Sequence, residues 1–421
     1  MSLPRDTLLA LWQAALGAVD PAARLRGRLP DPTGERVIVV GAGKAATPMA
    51  LEAAARYGDR AEGVVVTRRG YGLREGEQTG RIRIIEAAHP IPDVAALQAG
   101  EAMLGCVKGL SRQDQVICLL SGGGSALLEV PAPGVSFDEI RRLNAALLAS
   151  GASISEINCV RKHVSAIKGG RLAAAAWPAN VLSFAVSDVP GDDPSTIASG
   201  PTVADPTSAA DALTIIARYR IDLPAAMRRV LNDPSAESPK PGDPRLARAE
   251  FQMVATQADA LAAAQALGRE LGFAVVNLGT EVEGEARTVG ARHAQQALGL
   301  LASGAPSLII SGGELTVTLG DRFGSGGPNR EYALAFALAA ERHPRIWALA
   351  ADTDGVDGAD DGAGAIVSPD TLARATAAGL GAERALDLHD SGGFFATLGD
   401  AIVCGPTRTN VSDFRAVLVT A

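Results

Sequence analysis

The sequence is poor in aromatic residues, cysteine and histidine: 4% of its 421 residues are aromatic, four are cysteine and five are histidine. Cys106, Cys118, Cys159 and Cys404 show no C-x-x-C spacing, so they read as small buried hydrophobes rather than a redox or metal motif. The histidines are too few and too dispersed for a zinc site. No apolar run approaches the roughly 20 residues of a membrane span, and the opening residues lack a secretory pattern. The expectation is a soluble cytoplasmic protein with no membrane partner. The formal charge of −8 argues against nucleic acid as a partner, although a local field can still hold a small anion. Also missing are the G-x-x-x-x-G-K-[ST] loop, the H-R-D and D-F-G kinase pair, the G-x-S-x-G elbow and any tandem repeat.

What is present is glycine, 47 residues of it, much of it placed just after apolar runs. Val116-Ile-Cys-Leu-Leu120 breaks into Ser121-Gly-Gly-Gly-Ser125, the pattern of a parallel strand delivering a loop at its carboxyl end. Ser307-Leu-Ile-Ile310 runs likewise into Ser311-Gly-Gly-Glu314. Earlier strands at Val37–Val40, Gly63–Val66 and Ile82–Ile85 alternate with helical stretches, and the last of them ends in Glu86-Ala-Ala-His89-Pro90. This rhythm predicts an α/β chain whose N-terminal domain is a Rossmann-like parallel sheet with flanking helices. Ligands of such sheets lie at the strand carboxyl ends. Ser136-Phe-Asp-Glu139 predicts a capping box at the head of a helix over 136–150. Residues 232–250, rich in proline and charge, read as a linker. The chain is accordingly divided into residues 1–240 and a C-terminal α/β domain over 241–421, with a strand at Phe251–Ala255 restarting the pattern.

Gly41-Ala-Gly43-Lys44-Ala-Ala46 fits G-x-G-x-x-[GA] by letter and by its place after a strand. The acidic residue expected about 20 positions later to bind a ribose is absent. Thr67-Arg68-Arg69 stands there, which disfavours NAD and leaves only NADP. Lys44 inside the turn suits a phosphoryl or carboxylate group. Glycines allow backbone N–H groups to approach an anion, and Ser121 and Ser125 add hydroxyls. Gly122, Gly123, Gly124, Ser311, Gly312, Gly313 and Glu314 join the candidate phosphate or carboxylate cradles. Arg161, Lys162 and His163, with Lys168 and Arg171 behind them, form a basic cluster that reads either as a solvated helix or as an anion-facing site. Arg330, one residue after Asn329 in Gly327-Pro-Asn-Arg330, opens a helix. A cation is electrostatically out of place there unless an anion lies between it and the amide dipole. Asp188, Asp352 and Asp354 are candidate Mg²⁺ ligands. Mg²⁺ commonly takes one or two carboxylates plus substrate phosphates, and aspartate as a plain turn former is the competing reading.

Taken in order, Gly41-Ala-Gly-Lys44, Ser121-Gly-Gly-Gly-Ser125, Val160-Arg-Lys-His163 with Lys168-Gly-Gly-Arg171, Ser187-Asp-Val-Pro-Gly-Asp192, Ser311-Gly-Gly-Glu314, Gly327-Pro-Asn-Arg330, Asp352-Thr-Asp-Gly-Val-Asp357 and Gly405-Pro-Thr-Arg-Thr-Asn410 resemble the class II glycerate kinases. In these glycerate 2-kinases the C-terminal part is called the MOFRL domain, and relatives are often labelled hydroxypyruvate reductases. The resemblance runs from the first helix to the last strand. It implies ATP-dependent, Mg²⁺-assisted phosphorylation of D-glycerate at its 2-hydroxyl in a cleft between two α/β domains. It also implies that Lys44 and Arg330 are the catalytic cations. The alternatives are an NADPH-dependent hydroxypyruvate reductase and a non-catalytic nucleotide sensor. The sequence does not fix the oligomeric state, and a homodimer is one option.

Overall fold

In the computed structural model, described for residues 3–32, 34, 36–320, 323–358 and 360–421, the chain forms two compact units. One comprises Pro21–Val254, and the other joins Met1–Asp20 to Ala255–Ala421. No helix among the described residues is long and apolar enough to cross a membrane.

The Pro21–Val254 unit is built on strands β1 (Val37–Ala42), β2 (Ala61–Arg68), β3 (Arg81–Ala87), β4 (Gln115–Leu120), β5 (Asn180–Val186) and β6 (Ala249–Ala255). They lie in the order β3-β2-β1-β4-β5-β6 and are parallel from β3 through β5. All six residues of β1 are buried, as a strand covered on both faces requires. Ile38, Val40 and Ala42 share a core cluster with Ala96, Ala99 and Met103 of the helix Val94–Val107. The helix Ala46–Tyr57 also packs on the sheet and buries Met49, Ala50 and Ala53. A separate apolar cluster unites the helices Phe137–Ala149, Ile154–His163, Ala209–Arg218 and Ala225–Leu231. The capping box at Ser136 and Glu139 is present.

The second unit carries β7 (Ala274–Asn277), β8 (Gly284–Glu285), β9 (Ser307–Ser311), β10 (Leu315–Thr316), β11 (Ile346–Asp352), β12 (Gly364–Val367), β13 (Ala401–Ile402) and β14 (Asp413–Val419). Its main sheet is mixed, in the order β13-β12-β11-β14-β9-β7, with only β7 and β9 parallel. The first helix, Pro4–Ala18, buries Leu8, Leu11, Trp12 and Ala15 against the helix Gln257–Glu270 and strand β14.

The units divide differently from the sequence-based 1–240 and 241–421. Strand β6 is the sixth strand of the first sheet rather than the first strand of a new domain. The proline-rich stretch before it is fastened into the same unit: Arg171 donates to Ala236 O at 2.7 Å, Ser238 to Asp205 at 2.8 Å, and Glu237 accepts from Ala209 N at 3.0 Å. Of the stretch's own charges, Glu237 serves one of these contacts. Cys404 also departs from expectation: it is exposed, whereas Cys118 and Cys159 are buried.

Candidate functional site

Strands β1 and β4 are neighbours in register, Ala42 opposite Leu120, so the loops that leave them emerge side by side. They are then stitched together. Ser121 N donates to Ala42 O at 3.0 Å, Lys44 N to Gly122 O at 2.9 Å, and Ala45 N to Ser121 Oγ at 2.9 Å. Gly43 has φ +133°, and a Cβ there would stand 2.2 Å from Ser121 Oγ, so only glycine permits the approach. Gly43 N goes to Val66 O and Ala46 N to Gly43 O. Every amide from Gly43 to Ala46 is therefore engaged inside the protein, which corrects the expectation that Gly43 offers its backbone to a phosphate.

The loop that follows β4 differs. Gly124 N donates to Ser121 O at 3.1 Å, but among the described residues no acceptor takes the N–H of Gly122 or Gly123. Ser125 Oγ lies 2.8 Å from Ser199 Oγ, which donates to Asn158 Oδ1 at 3.1 Å. Lys44 is the one residue of 37–50 that is not fully buried. It shares the space beside Gly123 with His89: a Cβ on Gly123 would lie 3.3 Å from His89 Nε2 and 3.6 Å from Lys44 Cγ. The His89 imidazole is pushed down to about 3, first by burial and then by the charges of Lys44, Arg68 and Arg161, so it is neutral at physiological pH. Sequence reasoning did not single out His89. The available signal was its place in the loop after β3, on the same carboxyl edge.

The basic cluster divides. Lys162 is buried against Asp205 at 3.0 Å, and Lys168, fully buried, donates to Glu129 at 2.6 Å and to Leu128 O at 2.7 Å. Both ammonium groups are neutralised internally, so the assignment of Lys162 and Lys168 to an external phosphate is corrected. Arg161 is only 7% exposed, and its Nε donates to Asn144 Oδ1 at 2.6 Å. Among the described residues no acceptor takes either of its Nη groups.

In the other unit the Ser311-Gly-Gly-Glu314 loop proves to be an internal knot. Gly312 N donates to Gly279 O at 2.9 Å and Gly313 N to Gln257 Oε1 at 2.7 Å. The Gly312 carbonyl accepts from Arg415, and Glu314 is exposed. The two glycine amides expected to cradle an anion are taken. The Ser311 hydroxyl and Asn329 Oδ1 are buried without a partner among the described residues.

Arg330 opens the helix Pro328–Ala339, and the anion its position called for is the protein's own Asp357. The Asn329 and Arg330 amides each donate to the Asp357 carboxylate at 2.9 Å, and Arg330 Nε reaches it at 3.1 Å. Arg330 Nη1 pairs with the partly exposed Asp360 at 2.6 Å. Burial pushes Asp357 up to about 6, against the pull of Arg330 and the two amides. Asp354 is fully buried and accepts from Val356 N at 2.7 Å, and Asp352 accepts from Asp354 N at 2.8 Å, the turn-forming use of aspartate. Asp188 is half-buried just after β5, in the Pro21–Val254 unit. Among the described residues no group of three or more His, Cys, Asp or Glu is gathered to hold a metal ion. Asp188 and Asp352 belong to no such group, which suits Mg²⁺ only where phosphates supply other ligands.

Residues 7–232 match a family model described as a domain of unknown function, DUF4147, and residues 307–413 match the MOFRL family. A protein of Agrobacterium vitis provisionally named a hydroxypyruvate reductase is 47% identical, covering 99% of this chain and 94% of its own length. The D-glycerate 2-kinase of Thermotoga maritima is 38% identical, over 98% of this chain and 97% of the relative. The crystal structure of glycerate kinase from the same organism superposes with a TM-score of 0.87 at 36% identity, covering 99% of both chains.

Proposed function

The chain belongs to the glycerate kinase family with a MOFRL domain, and from that membership we propose that it transfers the γ-phosphoryl of ATP to the 2-hydroxyl of D-glycerate. The hydroxyl oxygen bonds to the γ-phosphorus, the bond to the ADP oxygen breaks, and the hydroxyl proton is released to solvent. The products are 2-phosphoglycerate and ADP. The supporting observation is the Gly122–Gly123 backbone, two amides that find no acceptor among the described residues and lie beside Lys44. Phosphoryl transfer asks little covalent chemistry of a protein; it asks for positioning and for neutralisation of spreading charge. Backbone donors next to a lysine in buried surroundings meet that demand.

The proposal assigns Lys44 from one unit and Arg330 from the other to the same phosphoryl, the interdomain arrangement that the resemblance implies. Asp357 would fix the Arg330 side chain through Nε, and release of Asp360 would free Nη1. Mg²⁺ would arrive with the nucleotide and neutralise phosphate charge, with Asp188 or Asp352 as its protein ligand. The reductase reading is weakened by the amides of Gly43 to Ala46, all engaged internally where a dinucleotide pyrophosphate would need them. Purified protein incubated with ATP, Mg²⁺ and D-glycerate tests the reading, with the product identified by NMR. Formation of 2-phosphoglycerate supports it. NADPH oxidation with hydroxypyruvate and no phosphoglycerate would overturn it.

A further inference from the structure

An arginine that is 7% exposed as a residue, with no acceptor on either Nη among the described residues, carries a charge that burial makes costly and that a bound anion would offset. Arg161 is such a residue. It sits one helical turn after Asn158, whose side chain accepts from Ser199, and Ser199 in turn holds Ser125 of the glycine loop. Beside that loop stands His89, in contact with Gly123 because glycine leaves room for the ring edge. We propose that Arg161 and His89 form the acceptor subsite, a pocket for a 2-hydroxycarboxylate in which Arg161 takes the carboxylate and His89 takes the 2-hydroxyl. This rests on the kinase reading above and deepens it by placing the acceptor in the Pro21–Val254 unit.

The chemistry of the ring favours a hydroxyl over a phosphate. A neutral imidazole has one donor and one acceptor nitrogen, and a hydroxyl can satisfy both kinds, whereas phosphate oxygens only accept. Neutrality follows from the surroundings, since burial and the cations Lys44, Arg68 and Arg161 all disfavour the imidazolium. Arginine suits the carboxylate because its planar fork matches two oxygens at once.

Steady-state kinetics of His89→Phe, His89→Asn and Arg161→Lys test the assignment, with thermal melts and circular dichroism to confirm folding. His89→Phe should raise KM for D-glycerate about tenfold, the worth of one lost hydrogen bond, with KM for ATP unmoved. His89→Asn, which keeps a donor and an acceptor, should recover most of that loss even if the phenylalanine variant folds poorly. Competitive inhibition by 3-hydroxypropionate, which lacks the 2-hydroxyl, should be unchanged by His89→Phe and weakened by Arg161→Lys. Folded variants with unmoved KM for glycerate, or with KM for ATP raised instead, would overturn the acceptor subsite while leaving the kinase reading intact. A wild-type protein that makes no phosphoglycerate would overturn the kinase reading itself.

Discussion

Lys44 is held by what surrounds it. Its own amide is bonded to Gly122 O, its neighbours are buried, and its side chain alone reaches partial exposure. If Lys44 acts on the phosphoryl as proposed above, Lys44→Met should leave the fold unchanged and lower kcat by about 10²–10³. Single-turnover phosphoryl transfer measured beside a circular dichroism spectrum checks both halves. Asp357 makes a different prediction. Its carboxyl titrates at about 6 in the folded protein against an ordinary 3.8, so the folded state binds the proton more tightly than the unfolded one. Its contribution to stability is fully present below 3.8 and is lost as pH rises through about 6. The excess stability of wild type over Asp357→Asn should shrink between pH 4 and pH 7, as read from urea midpoints. A gap that widens with pH would contradict the shift. The same carboxylate shows why Arg330 was only half legible. The misfit of a cation at a helix N-terminus is visible in the sequence, but nothing local says that the compensating anion lies 27 residues away.

Among elements, the strands were the most legible part. Short apolar runs ending in glycine mark β1, β4 and β9 with little ambiguity. Loop chemistry was less so, because two strand-to-Ser-Gly-Gly loops look alike in letters and differ in wiring. In one the Gly122 and Gly123 amides find no acceptor among the described residues; in the other Gln257, from a helix far back in the chain, takes the amide of Gly313. Partners remote in sequence also decided Lys162 and Lys168, whose carboxylates Asp205 and Glu129 lie 43 and 39 residues away. Glu129→Gln would leave Lys168 buried beside a neutral group, at a cost of about 3–5 kcal/mol. The paired replacement Glu129→Leu with Lys168→Met should cost less than either charge-orphaning single change, and denaturant titration of the three variants checks this. The stitch between the β1 and β4 loops can be probed with Gly43→Ala. That substitution should destabilise by about 1–3 kcal/mol through overpacking and displace Lys44. Gly109→Ala has no neighbouring atom within 4 Å of the added Cβ and serves as the control for φ strain alone.

At the scale of the molecule, the sequence shows two α/β halves but misplaces their seams, because proline and charge density at 232–250 imitate a linker. The first helix follows no local rule about which half it joins. Its Leu8, Leu11 and Trp12 are buried in the unit formed by Ala255–Ala421, and Leu8 and Leu11 are each worth about 1.5–3 kcal/mol as fully buried apolar side chains. A fragment spanning 21–254 should therefore unfold cooperatively on its own. A fragment spanning 255–421 should be soluble and cooperative only when residues 1–20 are supplied, fused or in trans, and calorimetry of the three preparations tests this. The Pro21–Val254 unit is thus an insertion, entered and left at one place where Arg24 Nε meets Val254 O at 2.6 Å. On the ribosome the order of events follows. The helix Pro4–Ala18 emerges before the Pro21–Val254 unit, yet it must wait, with its apolar stripe uncovered, until the chain beyond Ala255 has been made. The Pro21–Val254 unit can meanwhile close its own core, so a segment made before it finishes folding after it.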